Sequence, residues 1–212
     1  MVSVALLLGG IARAAREKGP CEGVLGDLVS LAVGERQVLG NVVSRKNETF
    51  ELRVQRLLGA LRFEVWAVGE NPKSVGFALV TERPAEKQIV LNEVRIDEAL
   101  QTHGLGGSIL TYLYEQAAPG TTLRLLSTNI ETNTALGAMV TALFPGGKIP
   151  GENAKARTAH RNAALTAEVR RLLREGPREK IPVWAKALDT AGWKDVEVEV
   201  TSGGKVYLQG RR

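Results

Sequence analysis

The glycines of residues 101–107 (Gln-Thr-His-Gly-Leu-Gly-Gly), here called the glycine turn, are the residues whose spacing most clearly indicates chemistry. The turn follows an apolar run with strand character, residues 87–96, and precedes residues 108–118, whose apolar positions favour a helix. The first N–H groups of a helix have no partner inside it, and the helix dipole adds positive partial charge there. Glycine lets the backbone approach an anion closely. The pattern predicts a diphosphate-binding cradle; the alternative is a strand–turn–helix corner whose glycines serve packing alone.

Two common phosphate-binding motifs do not fit this turn. A dinucleotide-binding unit has G-x-G-x-x-G with an acidic residue about 20 positions later, and a Walker loop has G-x-x-x-x-G-K-[ST]. The chain instead has Q-x-x-G-x-G-G, followed by a helix, an apolar strand over residues 122–128 and a second helix over residues 133–143. A right-handed crossover through the first helix would make the strands on either side of it parallel neighbours.

This succession, over residues 94–140, resembles the coenzyme A motif [QR]-x-x-G-x-[GA] of the GNAT (GCN5-related) N-acetyltransferase superfamily, with its following strand and its helix that begins at an Asn. The resemblance implies an α/β fold (an α+β mixed sheet) in which the two parallel central strands splay apart to admit the pantetheine arm. It also implies acetyl-CoA as the acyl donor.

Carried over residue by residue, the resemblance implies a cofactor site. Its members are Val94, Ile96, Gln101, Thr102, His103, Gly104, Leu105, Gly106, Gly107, Ser108 and Asn133. The amides of residues 103–108 would bind the diphosphate, and the backbone of Val94 and Ile96 would line the pantetheine. Asn133 would contact the pantetheine, or would only cap its helix. His103 could bind phosphate when protonated, or could be an exposed histidine with no such role.

Acetyl transfer needs a base for the amine, polarisation of the thioester carbonyl and a proton for the departing thiolate. Family members often use a Glu near the central strands as the base and a Tyr on the second helix as the acid. Here the position seven after Asn133, where that Tyr stands, is Val140. The catalytic candidates are Glu93, if strand parity turns it toward the site, and Thr128, where some members place a Glu. Three tyrosines are candidate acids, or have core-facing rings: Tyr112, Tyr114 and Tyr207.

The surrounding elements follow from residue periodicity. Phe50, Val54, Leu57, Leu58 and Leu61 predict a helix that Asn47 or Thr49 caps. Three meander strands are then predicted at residues 62–68, 74–81 and 88–96, and after the second central helix come helices over residues 153–175 and 183–191. The alternating residues 196–200 and 205–209 predict a closing hairpin.

The chain length suits one domain, or one domain with an appendage. We expect residues 1–40 to form an N-terminal leader, with a short helix over residues 1–19, and residues 41–212 to form the GNAT-like domain. Residues 145–180 would be a basic helical insertion within that domain. The leader could belong to a larger precursor, as in an acetylating toxin, or could mediate contacts in a homo-oligomer.

Charge and cysteine content limit the possible partners. The net charge of +5 is concentrated in residues 145–186, which have ten Lys and Arg against four Glu. This stretch is either a solvated helix face or a nucleic-acid-binding surface made by Arg157, Arg161, Arg170, Arg171 and Arg174. One cysteine and two histidines predict no metal site and no disulfide framework, and they are compatible with action in the cytoplasm. No apolar run reaches the roughly 18 residues of a membrane span.

Three functions remain open from the sequence. The first is an acetyl-CoA-dependent N-acetyltransferase that transfers acetyl directly to an amine, with a tRNA-linked or other polyanionic acceptor conceivable. The second, motivated by Val140, is a non-catalytic module that binds coenzyme A or a partner. The third is a basic nucleic-acid-binding protein whose glycine turn is structural.

Overall fold

The computed structural model describes residues 24–26 and 30–212, so the helix expected over residues 1–19 lies outside the described residues. The fold is mixed α/β, with one eight-stranded mixed sheet in the order β1-β2-β3-β4-β5-β6-β8-β7. The strands are β1 (Arg36–Val43), β2 (Thr49–Leu57), β3 (Ala60–Ala67), β4 (Lys73–Arg83), β5 (Gln88–Ile96), β6 (Thr122–Ser127), β7 (Lys194–Val200) and β8 (Val206–Arg211). The helices are α1 (Leu105–Gln116), α2 (Ile130–Leu143), α3 (Ala154–Glu175) and α4 (Val183–Thr190).

The helix predicted after Asn47 is wrong, because residues 49–57 form strand β2. Phe50, Leu52 and Val54 alternate with polar residues and are buried on one face of the sheet. Leu58, which the helical interpretation placed on the apolar side, is 90% exposed in the turn to β3. The spacing of Phe50 and Val54 fits either period, whereas Leu57 fits only the helical one; the buried Leu52 between them shows the alternation of a strand.

The buried core lies between the sheet and helix α1. This helix contacts both β1 and β5, so it crosses the face of the five antiparallel strands. Its Ile109, Leu110 and Leu113 are fully buried, and the ring of Tyr112 packs against Phe63 of β3 with 5.9 Å between centroids. The packing of α1 fixes the position of its N-terminus and therefore of the glycine turn.

Strands β5 and β6 are paired over only part of their length. Their parallel register covers four pairs, from Gln88 with Thr122 to Leu91 with Leu125. The antiparallel register of β5 with β4 moves at the same point, from Glu93 with Leu79 to Leu91 with Val80, so Asn92 is the extra residue of a β-bulge. Bulges bend a strand and increase its twist. Residues 92–96 therefore continue beside β4 after the paired segment with β6 has ended.

Helix α2 begins earlier than the sequence predicts, and its cap is a different asparagine. Asn129 has extended backbone angles, and its Oδ1 accepts a hydrogen bond from Thr132 N at 2.8 Å. Asn133 lies in the second turn with an exposed side chain, so its expected role as helix start is wrong. Val140, seven residues after Asn133, is half-buried. The residue seven positions after the actual cap, Asn129, is the buried Leu136.

Helix α3 covers the edge strand β7 with hydrogen bonds from its side chains to the strand backbone. Val198 N donates to Thr166 Oγ1 at 2.9 Å, and Val200 N donates to Asn162 Oδ1 at 3.2 Å. Arg161 and Arg170 donate to carbonyls of the same strand. This is a direct way to satisfy an edge that would otherwise present unpaired backbone groups.

The arginines expected to bind nucleic acid are largely engaged within the protein. Besides Arg161 and Arg170, Arg157 donates to Gly151 O, and Arg171 forms two 2.8 Å bonds with Glu168. The bonds from Arg171 lower the pKa of the Glu168 carboxyl. The basic stretch therefore has a structural use, and its geometry gives no support to the polyanion-binding interpretation.

The N-terminal residues that are described pack against the domain. Val24 and Leu25 are buried, Leu25 N donates to Glu82 Oε1 at 2.6 Å, and Ala118 N donates to Val24 O. Strand β1 begins at Arg36, so it crosses the boundary expected at residue 40.

Candidate functional site

A cleft of about 1200 Å³, here called the central cleft, opens where β5 and β6 part. It is lined by parts of six segments: the end of β1 with Arg45, residues 91–96 of β5 with Leu79 beside them, the glycine turn, the start of α1, residues 125–131, and residues 178–191. The sequence predictions for the cofactor site fall mostly on this surface.

The N-terminus of α1 faces the central cleft. Gly104 has φ +83° and precedes the first helical residue, a conformation that glycine adopts at little cost. Ser108 N donates to Gly104 O at 3.1 Å, so the amides of residues 105–107 precede the first bond inside the helix. The Ser108 amide makes that first helical bond, and Ser108 lines the cleft. Leu105 contributes a fully buried side chain to the core, which leaves its amide for the cradle.

The surroundings of a Cβ placed at Gly106 or Gly107 show how much space lies beside the first turn of α1. A Cβ at Gly107 would meet no atom within 4 Å, and one at Gly106 would lie 3.4 Å from Cη2 of Trp184. Both glycines line the cleft. The space in front of this helix terminus is therefore open to an anion.

Arg45 is a basic residue at the cradle that the sequence analysis missed. Its backbone N–H donates to His103 O at 2.9 Å, and its side chain would lie 3.1 Å from a Cβ at Gly104. Arg45 belongs to the β1–β2 hairpin turn, whose strand β2 was predicted to be a helix. The alternation of residues 49–57 was a signal for a strand, and it would have predicted that Arg45 lies in a hairpin turn. Nothing in the sequence indicated that this turn lies against the glycine turn.

His103 is buried, contrary to the expectation of an exposed loop histidine. It is 4% exposed, and its Nδ1 lies 2.7 Å from Glu48 Oε2 on the same hairpin turn as Arg45. Its Nε2 is buried without a hydrogen-bond partner among the described residues. Because buried polar atoms are normally paired, this nitrogen is a candidate contact for a bound ligand.

The backbone of β5 presents hydrogen-bonding groups to the gap. Asp97 N donates to Val75 O of β4, and bonds toward one neighbour alternate along an antiparallel strand. That alternation directs the backbone of Arg95 toward β4 and the backbone of Val94 and Ile96 away from it. Gln101 Nε2 already donates to Ile96 O at 3.3 Å. The parting of β5 from β6 thus provides an edge along which an extended ligand can bind.

Both catalytic candidates lie on the central cleft. Glu93 lines it, and Glu93 Oε1 is 2.5 Å from Arg95 Nε, which also lines it. Thr128 lies just after the end of β6 with an exposed side chain. Asn129, the cap of α2, lines the cleft, whereas the side chain of Asn133 is exposed on α2 away from its start.

The three tyrosines considered as acids are engaged elsewhere. Tyr112 packs on Phe63, Tyr114 packs edge-on against Trp193, and Tyr207 lies beneath the guanidinium of Arg124. The residues that line the central cleft include none of these three tyrosines.

Helix α4 forms one wall of the central cleft, which the sequence analysis did not predict. Trp184 and Lys186 lie on this wall, with Arg178 from the turn before the helix. Helix α4 contacts α1, α2 and α3, so its position relative to the cradle is fixed by packing. A tryptophan beside basic residues was the available signal, but nothing local showed that this helix returns to α1.

Two features are absent from residues 24–26 and 30–212. No group of three or more His, Cys, Asp and Glu side chains is arranged there to hold a metal ion. No helix in this part of the chain has the length and apolar character needed to cross a bilayer.

No protein-family model and no curated protein sequence matches this chain. Among solved structures, the chain is similar to one described as the crystal structure of nourseothricin acetyltransferase, with 16% sequence identity and a TM-score of 0.28. The match covers 54% of this chain and 81% of that one. A likeness of this degree identifies neither the substrate nor the activity.

Proposed function

We propose that this protein is an acetyl-CoA-dependent N-acetyltransferase of the GNAT type. The observation that carries the proposal is that two features share the central cleft. One is the N-terminus of α1, and the other is the edge of β5 that is no longer paired with β6. The first feature suits a diphosphate, and the second suits an extended arm with amide groups, which pairs with β5 as another strand would.

The residues present fit coenzyme A in charge as well as shape. The amides of residues 105–107 and the guanidinium of Arg45 surround the position for the diphosphate. His103 Nε2 is a buried nitrogen in need of a partner. The cavity of about 1200 Å³ slightly exceeds the range of roughly 300–1,000 Å³ typical of small-molecule sites. When bound, acetyl-CoA supplies an activated acetyl group with a thiolate leaving group.

The residues that would carry out the chemistry lie where β5 and β6 part. The Glu93 carboxylate accepts the proton of the incoming amine, directly or through a water molecule, while Arg95 holds its position. Backbone N–H groups of β5 beyond the bulge polarise the thioester carbonyl. Thr128 contacts the acceptor or the leaving sulfur from the opposite strand. The acceptor is an amine, and the site of action is the cytoplasm.

A second candidate is a module that binds coenzyme A without catalysis. It is favoured by the packing of all three tyrosines away from the central cleft, which leaves the departing thiolate without a phenolic acid. Release of free thiol from acetyl-CoA, measured with a panel of primary amines, separates the two candidates. Turnover with any amine, reduced at least tenfold in Glu93→Gln, supports the enzyme; tight binding without turnover supports the module.

Calorimetry with acetyl-CoA tests the cradle itself. Gly106→Glu and Gly107→Glu each place a carboxylate where the diphosphate must approach, so we expect both variants to abolish measurable binding. Gly107→Glu is the safer variant for folding, because its Cβ meets no neighbour and a Glu in the first turn suits the helix dipole.

The matched control is Gly137→Glu. Gly137 is an exposed glycine of α2 with no atom within 4 Å of its Cβ position, so the same charge is added to another helix. We expect this control to bind acetyl-CoA as the wild type does. Normal binding by a folded Gly107→Glu variant would show that the cradle is assigned wrongly.

A further inference from the structure

We propose that Trp184 of helix α4 is the stacking surface for the purine of the acyl donor, with Lys186 and Arg178 binding the phosphates attached to that nucleotide. This inference rests on the proposed function, and it identifies the part of the donor that helix α4 recognises. It requires a carrier with a nucleotide, as opposed to one with phosphopantetheine alone.

The position of Trp184 relative to the cradle is the first argument. Its Cη2 lies 3.4 Å from the place of a Cβ on Gly106, in the first turn of α1, so the indole borders the site for the diphosphate. The nucleotide of coenzyme A is attached to that diphosphate. A ring system at the rim of the cradle is therefore within reach of the purine.

The bonding of the three tryptophans is the second argument. Trp193 is fully buried, donates from Nε1 to Leu110 O at 3.1 Å and packs against Tyr114. Trp66 donates to Glu64 and lies beneath Arg53. Trp184 is half-buried, and within residues 24–26 and 30–212 its ring has neither a stacking partner nor a bonded indole N–H. Part of the side chain packs against the core, and Trp184 also lines the central cleft, where its ring can meet a ligand.

The charges beside Trp184 are the third argument. Lys186 is two residues further along α4, and Arg178 lies in the preceding 3₁₀ turn; both line the central cleft. Arg45, whose side chain lies beside Gly104, lines the same cleft, so three basic residues share this surface with the glycine turn. Basic residues and an aromatic ring on one surface are the combination by which proteins bind a base together with its phosphates.

Binding measurements with three probes test this inference: coenzyme A, 3′-dephospho-coenzyme A and 4′-phosphopantetheine. We expect wild type to bind coenzyme A at least tenfold more tightly than 4′-phosphopantetheine, since one stacked base contributes about a factor of ten. Trp184→Leu should lose about tenfold for coenzyme A and nothing for 4′-phosphopantetheine, and Trp184→Phe should retain most of the affinity. Lys186→Gln should weaken binding of the two nucleotide-bearing probes only.

A spectroscopic readout separates stacking from a merely structural role. Stacking of a purine quenches indole fluorescence, so coenzyme A should quench the wild type and Trp66→Phe but not Trp184→Phe. Trp66 is the matched control, because it is a half-buried tryptophan of β3 that does not line the cleft.

The outcomes are distinguishable. If wild type binds neither coenzyme A nor 4′-phosphopantetheine, the proposed function fails and this inference fails with it. If wild type binds both equally, or if Trp184→Leu binds coenzyme A as wild type does, the cradle stands and the purine site at Trp184 is overturned.

Discussion

Arg45 lies beside the glycine turn, although it follows strand β1, which is four positions from β5 in the sheet order. It can do so because α1 contacts both β1 and β5, and the residues before its N-terminus lie against the β1–β2 hairpin. The hairpin is fixed there by the Arg45 N–H bond to His103 O and by the contact of Glu48 with His103. A residue distant in sequence thus supplies the charge that the glycines lack.

Removing that charge should weaken donor binding without affecting the fold. We expect Arg45→Gln to lower the affinity for coenzyme A about fivefold to tenfold, because an exposed cation near a phosphate contributes modestly in water. The affinity should also depend less steeply on salt concentration. The control is Lys46→Gln, the next residue of the same turn, which is exposed and does not line the central cleft. Equal losses in the two variants would mean that only net charge matters.

At the residue scale, the sequence predicted the cradle better than its surroundings. The glycines, Val94, Ile96 and Glu93 lie on one cleft, as a linear motif and a strand led us to expect, and their roles stay predictions. Asn133 was predicted to begin α2, whereas the helix begins at Ile130 after the cap Asn129, which the sequence did not distinguish as a cap. Arg45 and Trp184 could not be assigned, since their proximity to the cradle is set by tertiary packing.

At the scale of elements, α3 shows why a basic helix need not be a binding surface. Its polar side chains replace the missing neighbour of strand β7, with Thr166 and Asn162 each pairing with a strand residue in both directions. Periodicity predicted this helix well, but it cannot show what its polar face contacts. The error at β2 has a related origin, because the apolar spacing of Phe50 and Val54 suits both the helical and the strand period.

Thr166→Val tests the contribution of this edge pairing to stability. The substitution keeps the shape but leaves Val198 N unpaired, so we expect the free energy of unfolding to fall by about 1–2 kcal/mol in chemical denaturation. Thr158→Val on the same helix is the control, since Thr158 lies before the segment that pairs with β7. An unchanged denaturation midpoint for Thr166→Val would show that water satisfies the edge equally well.

At the scale of the whole molecule, Glu82 joins the N-terminal segment to the sheet. Burial raises the pKa of its carboxyl above the ordinary value of 4.5, against the lowering effects of the Leu25 N–H bond and the Arg56 charge. The folded protein therefore holds this proton more tightly than the unfolded chain does. Its contribution to stability is largest at acid pH, and it decreases as pH rises from the unfolded pKa through the raised folded value.

Glu82→Gln should remove this decrease. The amide oxygen can still accept the bond from Leu25 N, so the variant should gain stability relative to the wild type as pH rises from about 4 to 7. Urea denaturation across that range measures the difference. Parallel stability profiles for the two proteins would show that the carboxyl is not shifted, and a variant less stable at every pH would show that the charged bond outweighs burial.

The extra residue at Asn92 marks where β5 stops pairing with β6, and it therefore sets the length of the unpaired edge of β5 in the central cleft. Each position along a strand spans about 3.3 Å, so a bulge one pair nearer the start of β5 would lengthen the unpaired edge by that distance. A bulge one pair later would shorten it equally. The length of the edge that β5 offers to a ligand is therefore specified within this strand, and the surrounding loops can change in sequence without altering it.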